Sequence, residues 1–585
     1  MSPTRRFPIP ILLFLAAATL AAGLSLRAQE DGGSAEEAPT EIFIDRVEVN
    51  LVNVEVYVTD KAGNRVDGLG KDDFEILEDG RPVTITNFYA VADGRPVADS
   101  VPAPDAAADD DDLLASAASV ARLRGQPEIP EDQRLHLVIY FDNLFLKPFS
   151  RNNVARRVRQ FLRTHLSPGD QVMLVTFERW THVRHPFTTD RNAISEELYE
   201  IETLSGFAEQ AEGERRRVLH QIEGAATIFD ARPHVDLYAE SLYHDVTLTI
   251  TNLKELVSSL AGLPGRKAIL HVSDGIPMTP GEDLYYLLDS RFSDDAFGAL
   301  DARRYNVRNQ FHELTARANA NRVTFYTLEA AGLRSHTTLS AEYAGSRGTD
   351  GLVTGSRIDA DIVRASSFQE PLQMMALETG GLATFSTNNF GGAFDRMADD
   401  FRSYYSLAYS PARSGDGRYH DIEVKVKGRK DLEVRHRTGY RDKSAETQLS
   451  EVTMAALLYG VESNPMDIEL KFSSGVRDPD GNYLLPIEVK IPIGGATLIP
   501  QADVYYGKLL VSVAVIDDDG RMSTVQQTPV PLEIPSADIE IARRQSFVYE
   551  AQLLMRRGDQ RVAVGVRDEL AAQASYIRRS VRIGT

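Results

Sequence analysis

Two aspartates follow apolar segments that have the character of buried strands. Asp142 ends the segment LHLVIYFD, and Asp274 ends the segment KAILHVSD. In an open α/β sheet, ligands bind beyond the carboxyl ends of the strands, at the point where the strand order reverses. Carboxylates at that edge could hold a metal ion that activates water, with Glu282 and Asp283 as further acids. The simpler alternative is that Asp142 caps its own turn and that Asp274 forms a tight turn with Gly275.

Other catalytic motifs are absent from the sequence. It contains no Gly-x-Ser-x-Gly, no His-Glu-x-x-His and no Gly-x-Gly-x-x-Gly after a strand. It also contains no cysteine, which excludes disulfides, thiolate zinc sites, iron–sulfur clusters and cysteine nucleophiles. The chain has 64 basic and 85 acidic side chains, a formal charge of −21. This charge argues against nucleic acid as a partner, because phosphate contacts need a basic surface.

The middle of the chain, residues 132–412, alternates strand-like and helix-like segments. Nearly continuous apolar segments, such as QVMLVTF at 171–177 and VTFYTL at 323–328, are typical of parallel strands that are covered on both faces. Helical stretches separate these strands, and the longest spans 238–262. Repeated β-α units over this length predict a Rossmann-like, doubly wound α/β domain.

The regions on either side of the α/β part have the two-residue period of half-buried strands. Residues 42–92 predict an N-terminal β unit, and residues 413–445 predict a closing β-hairpin segment. Residues 446–585 contain spaced strands with turn signals, which predict a C-terminal β-sandwich of the immunoglobulin or fibronectin kind. Residues 93–131 carry several prolines, many alanines and the run Asp109–Asp112, which together predict a disordered acidic linker.

The first residues have the pattern of an export signal. Two arginines precede the uncharged, apolar run Phe7–Leu26, and small residues lead to a cleavage position near Ala28. This pattern predicts a signal peptide over 1–28, a linker over 29–41 and an exported protein, either periplasmic or extracellular. The apolar run is long enough to span a bilayer, so an uncleaved N-terminal anchor is the alternative.

Several segments, in their order along the chain, resemble the VWFA-related proteins of acidobacteria and their relatives, which contain a von Willebrand factor type A (VWA) domain. These segments are VEVYVTDKAGNRVDGLGKDDFEILEDGRPVTITNF, LHLVIYFDN, LPGRKAILHVSDG, YYSLAYSP and HDIEVKVKGRKDLEVRHRTGY. The second segment resembles the first strand of the A domain, and the third resembles the strand that carries the family's distant acid. The resemblance covers about 42–442 and implies that the α/β part is a VWA domain.

The resemblance also implies a metal-ion-dependent adhesion site. A domains bind a divalent ion through an Asp-x-Ser-x-Ser loop, a distant threonine and a distant aspartate. Asp142 stands at the first acid position and Asp274 at the distant one, but Leu144 and Leu146 replace the two serines and offer no oxygen. The candidate ligands of a degenerate Mg²⁺ or Ca²⁺ site are therefore Asp142, Asn143, Ser273 and Asp274.

Different classes of function remain open from the sequence. The export signal, the flanking β domains and the lack of catalytic motifs favour a non-enzymatic protein that binds another protein, or mediates adhesion, at the strand ends. One alternative is an exported metal-dependent hydrolase that uses Asp142 and Asp274, and another is a purely structural envelope component. For the favoured interpretation we expect a protein partner, no catalytic residues and no cofactor other than a metal ion.

Overall fold

The computed structural model describes residues 51–92, 94–97, 134–292, 298–333, 351–411 and 415–584. These residues fall into two compact units, Leu51–Asp442 and the chain from Lys443 onward. The predicted signal peptide, the 29–41 linker and nearly all of the 93–131 linker lie outside the described residues. Among the helices that are described, none is both long and apolar enough to cross a bilayer.

The first unit combines strands and helices throughout its length. Its strands are β1 (Val52–Asp60), β2 (Phe74–Glu78), β3 (Arg81–Val83), β4 (Ile85–Ala92), β5 (Arg95–Pro96), β6 (Leu135–Asp142), β7 (Gln171–Phe177), β8 (Thr181–Thr188), β9 (Arg266–Ser273), β10 (Val323–Glu329), β11 (Ala383–Thr384), β12 (Tyr404–Tyr409), β13 (Tyr419–Val426), β14 (Leu432–Arg435) and β15 (Gly439–Arg441). Its helices are α1 (Pro148–Thr164), α2 (Arg191–Glu200), α3 (Ala208–Gly224), α4 (Ile228–Ser259), α5 (Glu282–Arg291), α6 (Gly298–Arg303), α7 (Arg308–Ala320), α8 (Gly351–Glu378) and α9 (Phe390–Arg402).

A six-stranded sheet forms the centre of this unit, with the strand order β11-β10-β9-β6-β7-β8. Its strands are parallel except for β8, which runs antiparallel to β7. The chain starts the sheet with β6, moves outward through β7 and β8, and then crosses back to place β9 on the other side of β6. The strand order therefore reverses between β6 and β9, which is where open α/β sheets bind ligands.

Helices cover both faces of the central sheet. Leu137 of β6 and Leu270 of β9 belong to the same apolar core as Phe394 of α9. On the opposite face, the hydroxyl of Thr327 in β10 donates to the carbonyl of Leu372 in α8 over 2.9 Å. Because both faces are covered, all eight side chains of β6 and of β9 are buried, which explains the continuous apolar runs in the sequence.

Two further sheets form a β domain from segments that are distant in the chain. One sheet has the order β14-β1-β12-β4-β5, and the other has the order β15-β13-β2-β3. A shared apolar core includes Val54, Phe74, Leu407 and Val424. The β domain is therefore built by residues that precede the central sheet together with residues that follow it.

This arrangement differs from the boundaries expected from the sequence. The sequence pattern places residues 405–409 inside the α/β domain of 132–412, and it separates 42–92 from 413–445. In the structure, β12 pairs with β1 and β4 and joins these segments into one β domain. One face of β12 packs on the β core and the other packs on Tyr57 and Val91, so every side chain of the strand is buried. Burial on both faces gives β12 the apolar character of a strand in an α/β sheet.

A histidine links two distant segments of the β domain. The Nδ1 atom of His420 lies 2.9 Å from Asp79 Oδ2, and its Nε2 atom lies 3.3 Å from Asp416 Oδ1. Partial burial opposes a charge on His420, but the two carboxylates outweigh this effect and raise its pKa above the ordinary value. Such a group stabilises the fold below the unfolded-state pKa of about 6.5, and this contribution is lost as the pH rises through the folded-state pKa.

We therefore expect His420→Gln to remove part of the loss of stability between about pH 6 and pH 8. The measurement is the midpoint of chemical denaturation at both pH values, compared with the unmodified protein. His220→Gln is the control, because the His220 side chain is 78% exposed and should leave the pH profile unchanged. Identical pH profiles for the unmodified protein and His420→Gln would show that the two ion pairs do not contribute to stability.

The second unit contains two antiparallel sheets and a packed helix. Its strands are β16 (Glu469–Phe472), β17 (Val476–Arg477), β18 (Tyr483–Pro492), β19 (Ile499–Gln501), β20 (Val504–Asp517), β21 (Gln526–Pro535), β22 (Ser546–Met555), β23 (Gly558–Asp568) and β24 (Gln573–Ile583). Its helices are α10 (Ala445–Tyr459) and α11 (Ile539–Ala542).

One sheet of this unit has the order β16-β18-β17, with β22 also on β18, and the other has the order β19-β20-β23-β24, with β21 on β20. The two sheets share an apolar core that includes Ile487, Val513 and Leu553. Helix α10 packs Ala456 and Leu457 against the other face of the second sheet. The sequence pattern predicts only strands in this part of the chain, so α10 is an element that the pattern misses.

Candidate functional site

The two predicted acids lie at the same edge of the central sheet. Phe141 of β6 is in register with Val272 of β9, and the next residues place the Ser273 hydroxyl 3.5 Å from Asp142 Oδ2. Asp274 follows Ser273 directly. The structure thus brings Asp142 and Asp274 together where the strand order reverses, which is the edge that the sequence predicted.

Asp142 is fully buried, and its surroundings disfavour the ionised form. Burial raises the pKa of Asp142 to about 7 and the charge of Asp274 adds to this, although two backbone N–H groups and the Ser273 hydroxyl favour ionisation. His271 Nε2 lies 3.8 Å from Asp142 Oδ2, and burial lowers the pKa of His271 to about 3. Both shifts favour neutral side chains, so this contact is a polar contact and not an ion pair.

Two further polar side chains of this sheet face were not identified from the sequence. His271 and Tyr140 occupy paired positions on β9 and β6, and their rings stack with centroids 5.2 Å apart. Within the described residues, both ring nitrogens of His271, the Tyr140 hydroxyl and Asp142 Oδ1 are buried without a hydrogen-bond partner. The available signal was a polar side chain inside an otherwise apolar strand.

The loop after β6 uses its side chains for packing and for internal hydrogen bonds. Asn143 Oδ1 accepts a hydrogen bond from Arg151 Nη1 at 3.4 Å, and Asn143 Nδ2 donates to Glu178 Oε1 at 3.1 Å. Leu144 is 4% exposed and Leu146 is fully buried in the core beneath α1 and α9. The residues at the two serine positions are therefore parts of the apolar core.

Asp274 holds the loop after β6 against β9. Its Oδ2 atom accepts a hydrogen bond from the backbone N–H of Lys147, the residue that caps α1, at 3.0 Å. The next residue, Gly275, has a φ of 113°, and a Cβ atom there would lie 2.8 Å from the Cβ of Phe368 in α8. The close approach of α8 explains why the turn after Asp274 requires glycine.

Helix α8 also fixes the segment that follows β9. The backbone N–H of Met278 donates to the carbonyl of Ser367 at 2.8 Å, and that of Ile276 donates to the carbonyl of Phe368 at 3.1 Å. Pro371 has no N–H group and leaves the Ser367 carbonyl without its usual partner inside the helix. The proline in α8 thus leaves the Ser367 carbonyl free to accept the hydrogen bond from Met278 in the loop after β9.

The two further acids predicted for a hydrolytic site make other contacts. Asp283 is 5% exposed and lies 2.7 Å from Arg215 of α3, which is 2% exposed. Burial raises the pKa of Glu282, and the Ser367 hydroxyl hydrogen-bonds with its carboxyl group. Asp283 is therefore committed to a buried ion pair, and this geometry does not support a cluster of four acids around one ion.

The side chains present do not fit a divalent ion. Asp142 Oδ1 is a buried oxygen with an open hydrogen-bonding position, but Asn143 Oδ1 faces the guanidinium group of Arg151. Leu144 and Leu146 supply no oxygen, whereas a hard cation needs six or more oxygen ligands including water. The described part of the chain holds no group of three or more His, Asp or Glu side chains that could bind a metal.

Comparisons with known proteins give distant structural similarities. No family model matches the chain, and no curated protein matches it. A solved structure described as von Willebrand factor type A from Catenulispora acidiphila is 8% identical, with a TM-score of 0.22 and coverage of 77% of this chain and 66% of that chain.

Two other solved structures match at similar levels. A β-glucuronidase from Bacteroides uniformis is 14% identical, with a TM-score of 0.14, and the match covers 31% of this chain and 19% of the enzyme chain. The structural genomics target SoR45 is 17% identical, with a TM-score of 0.15, and the match covers 21% of this chain and 88% of the target. TM-scores this low do not define a fold or a function for this chain.

Proposed function

We propose that this protein is an exported, non-enzymatic VWA-like protein that binds a partner protein at the carboxyl-terminal edge of its central sheet. In this proposal, the central sheet belongs to a Rossmann-like VWA domain, and residues 446–585 include an immunoglobulin-like β-sandwich. The observation that carries the proposal is the position of Asp142 and Asp274 at the reversal of strand order, on an edge that also exposes large apolar side chains.

Three exposed apolar side chains support an interaction surface on this edge. Phe149 is 83% exposed, Trp180 is 61% exposed and Leu333 is 66% exposed. They follow the carboxyl ends of β6, β7 and β10, respectively, so all three belong to the same edge of the sheet. Aromatic side chains of this kind supply most of the binding energy in many protein interfaces. We call Phe149, Trp180 and Leu333 the rim residues.

The burial of Asp142 argues for partner binding without a bridging ion. Asp142 is inaccessible to a partner's side chain, and leucines occupy the two positions at which serines would complete the ion's coordination. In this proposal, Asp142 and Asp274 position the loops that carry the rim residues, and the rim residues make the contact. Binding should therefore persist in the presence of a chelator.

The proposal is tested by site-specific photocrosslinking of the full-length protein in a cell that exports it. A photoreactive amino acid at position 149 or 180 should give a discrete crosslinked partner, and chelator should not change the yield. Position 377 is the matched control, because Leu377 is 54% exposed but lies at the end of α8, shortly before β11 begins at the opposite edge.

The same surface can be tested by substitution. Trp180→Ser or Phe149→Ser should weaken recovery of the crosslinking partner about tenfold or more, whereas Leu377→Ser should leave it unchanged. A crosslink of equal yield at position 377, or a loss of binding with chelator, would contradict the proposal. If neither position 149 nor position 180 gave a crosslink, the proposal that this edge is an interaction surface would be wrong.

A further inference from the structure

Four arginines gather at the junction between the β domain and the amino-terminal edge of the central sheet. Arg266 and Arg437 are buried, and Arg322 and Arg435 are partly buried. Glu55 pairs with Arg322 at 2.9 Å, and Asp400 pairs with Arg435 at 2.7 Å. Among the described residues, Arg266 and Arg437 form no ion pair, so their charges are not matched by a carboxylate in direct contact.

Arg437 donates hydrogen bonds to neutral groups only. It is 8% exposed, and its Nη1 and Nη2 atoms donate to the carbonyls of Asn319 and Asn53 at 2.9 and 2.8 Å. Its Nε atom, like that of Arg322, is buried and has no hydrogen-bond partner within the described residues. Carbonyl oxygens satisfy N–H groups but do not balance a full charge, and a buried charge without a counter-charge is costly.

The electrostatics of the junction agree with an uncompensated charge. The pKa of Arg437 is lowered to about 10, because burial and the positive charge of Arg322 together outweigh the opposing charge of Glu55. Glu55 is already engaged, because its Oε1 atom accepts a hydrogen bond from Arg322 Nη2. One more negative charge would bring this group of three side chains to neutrality.

A small cavity lies between these groups. Its lining includes Arg322, Arg437, Glu55, Thr324 and Thr379. The cavity has room for about one water-sized particle, so an anion that binds there must be monatomic. We propose that this cavity binds a small monovalent anion of the size of chloride, held by the guanidinium groups of Arg322 and Arg437.

An anion at this position would connect two parts of the first unit. Arg322 directly precedes β10 of the central sheet, whereas Arg437 follows β14 of the β domain. An anion that binds only when both arginines are in place stabilises the folded state by mass action. The proposed anion therefore has a structural role, because it links the β domain to the amino-terminal edge of the central sheet.

The direct test is a bromide soak of crystals of the full-length protein. Bromide replaces chloride in such sites, so its anomalous signal should appear within hydrogen-bond distance of the Nε atoms of Arg322 and Arg437. The proposal would be overturned if anomalous peaks of bromide appeared only outside this cavity. It would also be overturned if the electron density in the cavity carried no anomalous signal, because the bound particle would then not be bromide. This experiment needs no substitution and therefore does not depend on the folding of a variant.

The solution test compares chloride with methanesulfonate, which is too large for the cavity, at equal ionic strength. Raising chloride to about 300 mM should increase the thermal midpoint by roughly 2–4 °C relative to methanesulfonate. Arg437→Gln should abolish this difference, and Arg322→Gln, at a more exposed position, serves if the first variant does not fold. Arg429→Gln, an exposed arginine, should retain the difference. Equal midpoints in the two salts, or an unchanged difference in both cavity variants, would overturn the proposal.

Discussion

Replacing Asp400 by alanine should lower the free energy of unfolding of the first unit by about 3–5 kcal/mol, the usual cost of removing one partner of a buried ion pair. Asp400 is 6% exposed and binds Arg435 through two hydrogen bonds, at 2.7 and 3.0 Å. Its Oδ2 atom also accepts a hydrogen bond from the Tyr326 hydroxyl at 3.2 Å. The substitution would leave Arg435 with a buried, unbalanced charge.

The reason for this large effect is the position of the ion pair. Asp400 lies in α9 and Arg435 ends β14, so the pair joins the helical layer of the central sheet to the β domain. The backbone carbonyl of Asp400 also accepts a hydrogen bond from Arg266 of β9 at 3.1 Å, so the same segment contacts a third element. A loss at this point is not offset by solvent, because these groups are shielded from water.

The measurement is urea denaturation of the full-length protein, followed by the fluorescence of Trp180, the only tryptophan of the chain, and by circular dichroism. The matched control is Asp431→Ala, because Asp431 forms a similar two-bond pair with Arg429 at an exposed position. The midpoint should shift strongly for Asp400→Ala and stay in place for Asp431→Ala. Equal shifts for the two variants would mean that burial does not determine the strength of the pair.

The second large effect is expected for Leu146→Ser, which restores a serine at a position where the VWA resemblance implies one. Leu146 is fully buried in the apolar core beneath α1 and α9. Removing its side chain should cost about 2–5 kcal/mol, because the substitution leaves a cavity and buries a hydroxyl group. The same serine in a functional adhesion site would instead supply a ligand to a metal ion.

Two measurements distinguish these outcomes. Urea denaturation should show the loss of stability, and titration calorimetry with Mg²⁺, Mn²⁺ and Ca²⁺ should show no gain of binding. Leu377→Ser serves as the control for the loss of a leucine side chain, because its exposed position should limit the change to about 0.5 kcal/mol. A stable Leu146→Ser variant that binds Mg²⁺ would contradict our description of this loop as part of the core.

The central sheet could be predicted from the sequence because its signals are local. The segments around Asp142, residues 171–177 and Asp274 are continuous apolar runs, and each forms a strand of the central sheet in the structure. The positions of the two acids at the strand ends were equally local, because each one closes an apolar run. Parallel strands then carry both acids to one edge of the sheet.

The role of each candidate ligand could not be predicted in the same way. A leucine that follows a strand can be exposed or buried, and only the packing of α1 and α9 places Leu146 in the core. Whether Asn143 is available as a ligand depends on Arg151, which lies eight positions further along the chain in α1. The pKa of Asp142 is likewise raised mainly by burial, which the whole fold produces.

The sequence by itself determined that buried strands alternate with helices in the α/β part and that Asp142 and Asp274 stand at strand ends, because the hydrophobic period is a property of neighbouring residues. Only the tertiary structure decided that β12 joins the β domain, that Asp283 pairs with Arg215 and that four arginines gather at one junction. These outcomes depend on contacts between segments that are far apart in the chain. Their energies come from burial and from charges brought together by folding, and neither is visible in a local pattern.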